Sequence, residues 1–246
     1  MAFGESAELY DNVRKQYPEQ IINKVANCIS EAPDCNLILD IGCGTGIASR
    51  QLSQIPNKSI IACDLDADMI RVARQIGGSN ISYHVMASNA LDFPNVSIRA
   101  ITAFGSFHWF CNLPSLTAIR RVLQPGGRLF IINKDNDAFK QEIYPIISKY
   151  CPSEVINNKK NYNPKLILLN NGFTEINEYF YDYTETYTHV DELLQFIQSL
   201  KFWEFVQPND KDNLLSTLRN YLEHKFYENK YVRKVRTTLV WGKKAD

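Results

Sequence analysis

Leu37-Ile-Leu-Asp-Ile-Gly-Cys-Gly-Thr-Gly46 is the stretch from which the rest of the chain can be read. Residues 37–40 are mostly apolar and run straight into Gly42, Gly44 and Gly46, the pattern of a buried parallel strand ending in a tight loop. Glycine lets such a loop turn, and lets a ligand approach the backbone where a Cβ would clash. Residues 47–52 have helical character, so the loop delivers a helix N-terminus to that ligand. A second apolar run, 60–63, ends at Asp64, which lies 20 residues past Gly44. An acid at that distance can accept hydrogen bonds from a ribose diol. The combination predicts a nucleoside-cofactor site.

Glycine spacing discriminates between cofactors. Dinucleotide loops use Gly-x-Gly-x-x-Gly. Here the pattern is Gly-x-Gly-x-Gly followed by Ile47, with an acid, Asp40, inside the strand, which argues against a nicotinamide-dependent oxidoreductase. Asp40-Ile-Gly-Cys-Gly-Thr-Gly46 resembles the first motif of class I S-adenosylmethionine (SAM)-dependent methyltransferases. The resemblance implies SAM as cofactor. It implies a loop of Asp40, Gly42, Cys43, Gly44, Thr45 and Gly46 around the amino-acid end, and Asp64 on the ribose, with Leu65 and Met69 as further contacts.

The chain has 246 residues, of which 45% are hydrophobic, enough for a large core in one domain with a cap. That single domain divides into an arm and helix (1–34), a cofactor-binding core (35–135) and the remaining sheet with substrate-shaping insertions (136–246). Lys and Arg together number 27, as do Asp and Glu, so the basic excess of a tight nucleic-acid binder is absent. The first residues lack the basic start and apolar run of a secretory signal, and no stretch has the ~18 apolar residues of a membrane span. The expected location is the cytoplasm. Six cysteines are scattered without a Cys-x-x-Cys pair, so no metal is expected and reduced thiols fit that location.

Outward from the loop, residues 5–17 read as a helical arm, and Pro18 suits the first turn of a second helix reaching about residue 30. Tyr10, Arg14 and Tyr17 fall three and four apart, so they share a helix face. Tyr10-Asp-x-x-Arg14-x-x-Tyr17-Pro18 resembles the arm of small-molecule methyltransferases of the trans-aconitate type, which implies that these three residues help shape an acceptor pocket. Strands are expected at 59–63, 81–86, 99–104 and 128–132, with helices at 67–76 and 114–123 between them. After the third strand, Ser88, Asn89 and Ala90 stand where the family receives adenine; the family's Asp is Asn89 here, whose carbonyl oxygen accepts the same bond. Gly105-Ser-Phe-His-Trp-Phe110 follows the fourth strand, and ligands in open α/β sheets sit outside the carboxyl ends of strands. Gly105 is therefore a cofactor contact, and His108 and Trp109 are substrate contacts. The segment resembles the Ala-x-His-Trp-Phe run of the trans-aconitate type rather than an Asn/Asp-Pro-Pro-Tyr motif.

Past residue 133 the pattern loosens. Helices are expected at 138–150, 164–170, 190–198 and 211–226, and strands at 173–183 and 235–241 that form an antiparallel pair at one edge. Residues 157–161 read as a mobile loop, and Trp203 lies in a segment loosely similar to a substrate loop of the relatives. The expected fold is α/β: a Rossmann-like, doubly wound, seven-stranded, mostly parallel sheet with an antiparallel edge strand, a helical N-terminal arm and C-terminal helical insertions. Methyl transfer is an in-line displacement that needs alignment and dryness rather than a protein nucleophile or metal, consistent with a sequence that shows no triad and no paired carboxylates. A carboxylate acceptor calls for a cation, Arg14; a phenol or amine calls for a base, and His108 is the candidate catalytic residue. The function these readings imply is methylation of a small molecule at a carboxylate or other O or N nucleophile. The alternatives are an RNA or protein methyltransferase and a noncatalytic SAM-binding protein.

Overall fold

The computed structural model describes residues 7–30, 36–135, 137–156 and 162–245. The loop expected at 157–161 lies outside the described residues. The arm opens with α1 (Ala7–Val13), and Pro18 accepts the first backbone bonds of α2 (Glu19–Ser30). The core then alternates β1 (Leu37–Ile41), α3 (Ile47–Leu52), β2 (Ser59–Asp64), α4 (Ala67–Ile76), β3 (Ile81–Val85), β4 (Ile98–Phe104), α5 (Leu113–Val122) and β5 (Leu123–Asp135). Three helices follow, α6 (Asp137–Ile147), α7 (Ser153–Ile156) and α8 (Pro164–Asn170). They lead to β6 (Phe173–Tyr187), α9 (Val190–Gln198), α10 (Lys211–Glu223) and β7 (Tyr231–Lys244).

The seven strands lie in the order β3-β2-β1-β4-β5-β7-β6. The first five run parallel, and β7 is antiparallel to both its neighbours. The expected antiparallel pair is present, with β7 inserted between β5 and the edge strand β6. Both late strands outrun the expected ranges, because their pairing continues as far as Tyr187 opposite Tyr231. β5 also starts early: Leu123 already pairs with Ile98, and the register shifts before Arg128 meets Ala100.

Period-2 alternation sends side chains of each central strand into two separate cores. Ile38, Phe130 and Ile132 pack with α2, α3 and α4, whereas Leu39, Ile41, Leu129 and Ile131 pack with α5 and α8. A third core belongs to the insertions after β5 and β6, where Phe139, Ile143, Leu193, Phe196, Leu214 and Leu218 meet. This cap stands beyond the carboxyl ends of β5 and β6, which positions the site below.

Asp40 is the polar exception in β1. It is fully buried, and its two oxygens accept from Ser49 Oγ on α3 at 2.6 Å and Thr102 Oγ1 on β4 at 2.8 Å. Burial pushes its carboxyl up to about 6, although the two hydroxyls pull the other way. The folded state thus holds a proton between about pH 4 and 6 that the unfolded chain has released, and stability falls as pH rises through that window. Asp40→Asn removes the titration while its amide can still bond both hydroxyls. Its stability relative to the wild type is therefore expected to improve by about 2–3 kcal/mol between pH 4 and 7, read from paired melting curves.

Candidate active site

The glycine loop is stapled to the end of β2. The Cys63 carbonyl accepts from the N–H groups of both Gly42 and Cys43, at 2.7 and 3.0 Å, and Asp64 Oδ2 accepts from the Gly44 N–H at 2.8 Å. Asp64 Oδ1 takes the Asp66 N–H at 3.0 Å, and Asp66 in turn caps α4 by accepting from Asp68 and Met69. Burial raises the Asp64 carboxyl, while the Asp66 and Gly44 amides oppose the rise and favour the ionised form. The carboxylate is thereby fixed at the lip of the loop, with lone pairs left for a diol.

Two glycines of the loop serve different needs. A Cβ on Gly42 would stand 2.6 Å from Ser106 Cβ and Oγ, so packing demands glycine there. A Cβ on Gly44, at φ +55°, would meet nothing within 4 Å among the described residues; the bare face of this glycine opens on a cleft. That cleft has a volume of about 400 Å³, inside the roughly 300–1,000 Å³ of small-molecule and cofactor sites. Gly42, Cys43, Gly44, Asp64, Leu65 and Met69 line it, together with Met86, Ser88, Asn89, Gly105 and Trp109. The donor set suits a nucleoside: an acid for the ribose, Leu65, Met69 and Met86 as apolar faces for a base, and Ser88 and Asn89 for its edge. Ser88 is held by a 2.9 Å hydrogen bond to Ser115 on α5.

Four expected cofactor contacts lie outside this lining. Asp40 is sealed beneath the loop, bonded to Ser49 and Thr102, and acts on the loop through β1. Gly46 turns its α-carbon toward the Tyr83 ring, where a Cβ would come within 2.5 Å of the hydroxyl. Thr45 is buried and faces a different cavity, and Ala90 lies in an exposed turn.

A second cavity, of about 250 Å³, adjoins the cleft. Tyr10, Gly105 and Trp109 line both, so the two meet at the carboxyl end of β4. Tyr10, Arg14, Tyr17 and His108 all line this second cavity, but the arm residues do not share a helix face, because α1 ends at Val13 and Arg14 and Tyr17 follow in the link to α2. Trp203 does not: the lining comes from Leu200, Lys201 and Phe202, and Trp203 packs in the cap beside Lys211. Lys134, Phe139, Ile143 and Ile147 were not singled out in the sequence. Lys134 had a signal, since it stands near the carboxyl end of the fifth strand; Phe139, Ile143 and Ile147 had none, because helical spacing does not say which side faces a cavity.

The arm is fastened over this junction. Tyr17 N donates to Gln51 Oε1 at 2.9 Å, and Gln51 Nε2 returns a bond to Tyr17 O at 2.8 Å. Arg50 pairs with Asp11 at 2.7 Å, and Lys134 Nζ donates to the carbonyls of Lys15 and Gln16 at 2.7 and 3.0 Å. Burial lowers the Lys134 ammonium to about 8, opposed by Glu185.

A methyltransferase-domain profile matches residues 38–127, which hold the glycine loop, Asp64 and the Gly105 turn. The ubiquinone/menaquinone biosynthesis C-methyltransferase UbiE of Wigglesworthia glossinidia brevipalpis is 34% identical over 139 residues, 52% of this chain and 55% of that protein. The chain thus spans about half the length of the curated relatives it matches. Among solved structures, a candidate type II methyltransferase from Anaeromyxobacter dehalogenans aligns with a TM-score of 0.70 at 18% identity, covering 94% of this chain and 97% of that one. A Haemonchus contortus phosphoethanolamine N-methyltransferase, solved with phosphomonomethylethanolamine and S-adenosylhomocysteine, aligns at 0.56 and 17% identity, covering 99% and 58%. Residues 38–127 thus match a methyltransferase domain, and the seven-stranded fold around them is that of the solved methyltransferases.

Asp64→Ala removes a charge-assisted acceptor worth about 1.5–3 kcal/mol and frees the Gly44 N–H. The variant is expected to bind S-adenosylhomocysteine at least about tenfold more weakly by calorimetry. Undiminished affinity in a folded variant would remove Asp64 from the cofactor site.

Proposed function

We propose that this protein transfers a methyl group from SAM to a small molecule held in the cavity between arm and cap. The observation that carries the reading is the junction itself, where a cleft suited to a nucleoside adjoins a second cavity at Tyr10, Gly105 and Trp109. A volume of about 250 Å³ under a roof of helices suits a small acceptor better than a nucleic-acid strand or a protein surface. Its walls are mixed. Phe139, Ile143, Ile147 and Phe202 are apolar, whereas Arg14, Lys134 and His108 are polar or cationic, so the favoured acceptor has an apolar body and a polar or anionic end.

The cofactor, when bound, supplies an electrophilic methyl group. The chain's own residues bind, orient and exclude water. Asp64 and the bare face of Gly44 receive the nucleoside; Tyr10 and Trp109 flank the opening; the arm, latched by Gln51 and Lys134, borders the junction. His108 lies beside Trp109, ring centroids 4.6 Å apart, and is the group placed to take a proton from a phenol or amine acceptor. A carboxylate acceptor needs no base and would be held by Arg14.

The direct test supplies labelled SAM and pools of carboxylic acids, phenols, amines and RNA to the purified protein. Incorporation into a small acid, phenol or amine is expected; incorporation into RNA or protein alone, or binding without turnover, contradicts the reading. With a phenol or amine acceptor, His108→Ala is expected to leave cofactor affinity unchanged and lower kcat by roughly 10²-fold or more. An unchanged rate removes His108 from the chemistry.

A further inference from the structure

A further cleft, of about 430 Å³, lies between the link that follows α1 and the strand β6, and no residue of the glycine loop lines it. Lys15, Gln16 and Gln20 line it with Tyr183, Thr184 and Thr186; all but Tyr183 are exposed. The rings of Tyr181 and Tyr183, both in the lining, are stacked, with centroids 6.1 Å and planes 21° apart. Residues 181–186 of an extended strand cover roughly 17 Å, so the cleft runs beside β6 for about six residues.

β6 is the edge of the sheet, and among the described residues no strand pairs with its outer side. An edge leaves a row of N–H and C=O groups unpaired, and folds guard it with bulges, charges or proline. The first half of β6 is guarded in this way. Its register with β7 shifts between Thr174 and Asn177, Glu175 stands at φ +46°, and Glu178 and Asp182 carry charge. Tyr183-Thr-Glu-Thr-Tyr187 has none of these guards. Its pairing with β7 is unbroken as far as Tyr187 opposite Tyr231. Its one acid, Glu185, is buried and accepts from Arg233, from Tyr183 at 3.1 Å, from Tyr187 at 3.2 Å and from Lys134 at 3.4 Å. The unguarded length of edge is therefore the length that borders the cleft. Charge narrows what fits there. Lys15 Nζ lies 5.4 Å from the centroid of the Tyr187 ring, and no ion pair holds it among the described residues. With Glu185 saturated, Lys15 leaves the cleft cationic.

We propose that this cleft receives an extended, acidic peptide segment of another protein, which pairs with β6 as an eighth strand and sets an Asp or Glu side chain against Lys15. Main-chain bonds along the edge supply affinity, and the stacked tyrosines and Lys15 read the side chains. The link opposite β6 is already fixed, because Lys134 Nζ donates to the carbonyls of Lys15 and Gln16. A second copy of this chain, pairing through its own β6, offers Lys15 no free acid: Glu185 is turned inward, and Glu178 and Asp182 are paired with Lys165 and Arg236. Among the described residues the cleft shares only Tyr17 with the second cavity, so docking here is separable from the choice of acceptor.

The test presents a random library of ten-residue peptides, displayed on phage, to the immobilised full chain. The selected peptides are expected to alternate β-branched or aromatic residues with polar ones and to carry an Asp or Glu. One of them, synthesised and added in solution, is expected to slow amide exchange within residues 181–187, read by mass spectrometry. By fluorescence anisotropy it is expected to bind the Lys15→Glu variant about threefold or more weakly than the wild type. Lys15 is exposed, and its carbonyl rather than its side chain takes the Lys134 bond, so this variant keeps the link in place. No enrichment over a bare support, selected peptides without an acid, undiminished binding to Lys15→Glu, or protection confined to other segments overturns the proposal. Protection of residues 181–187 that rises with protein concentration in the absence of peptide puts a second copy on the edge, and overturns it as well.

Discussion

The Cys63 carbonyl is the point on which the site depends. It accepts two successive N–H groups of the glycine loop, while the next residue, Asp64, takes the third. Loop, acid and strand end are thereby one rigid object. The arrangement is possible because β1 and β2 pair in register from Leu37 opposite Ser59 to Ile41 opposite Cys63, which brings the carboxyl ends of both strands level. Asp40 braces the same strand from below, joined to α3 and β4. Ser106, which donates to the Ile41 carbonyl at 2.9 Å, closes the ring from β4, and its contact with Gly42 is why a side chain cannot stand there.

The cap is a separate construction with its own core. Its helices come from two insertions, one after β5 and one between β6 and β7, and they meet in a cluster distinct from the two that flank the sheet. A sheet edge that carries a long antiparallel pair gives this cap a firm base: β6 and β7 stay paired out to Tyr187 and Tyr231, and both of those rings belong to the cap core. The second cavity is what remains between this core and the arm. Its lining can therefore change with the insertions while the glycine-loop cleft stays as it is.

The contrast between these two halves explains what was legible in the sequence. The glycine loop, Asp64 and the turn at Gly105 are local features whose backbone demands show in consecutive residues, and each stands in the cleft as expected. Asp40, Thr45 and Gly46 belong to the same motif, yet they face other directions, because a motif records what the loop needs as well as what its ligand touches. Tyr10, Arg14 and Tyr17 were readable from their motif but not from helical spacing, since α1 ends at Val13 and the latter two follow it in the link to α2. Trp203 was not correctly placed, since the short helical turn Lys201–Phe205 directs Phe202 inward instead. Arg233 offered no signal at all: a charged residue in an alternating strand reads as solvent-facing, and only the pairing of β6 with β7 under the cap buries it against Glu185.

The ligand of the glycine-loop cleft decides the chemistry of the whole chain. Calorimetric titration of the purified chain with S-adenosylhomocysteine and, in parallel, with NAD identifies it most directly. The geometry predicts one site that binds S-adenosylhomocysteine and leaves NAD unbound. Binding of NAD alone would contradict the reading of the loop and, with it, the junction on which the proposed chemistry rests.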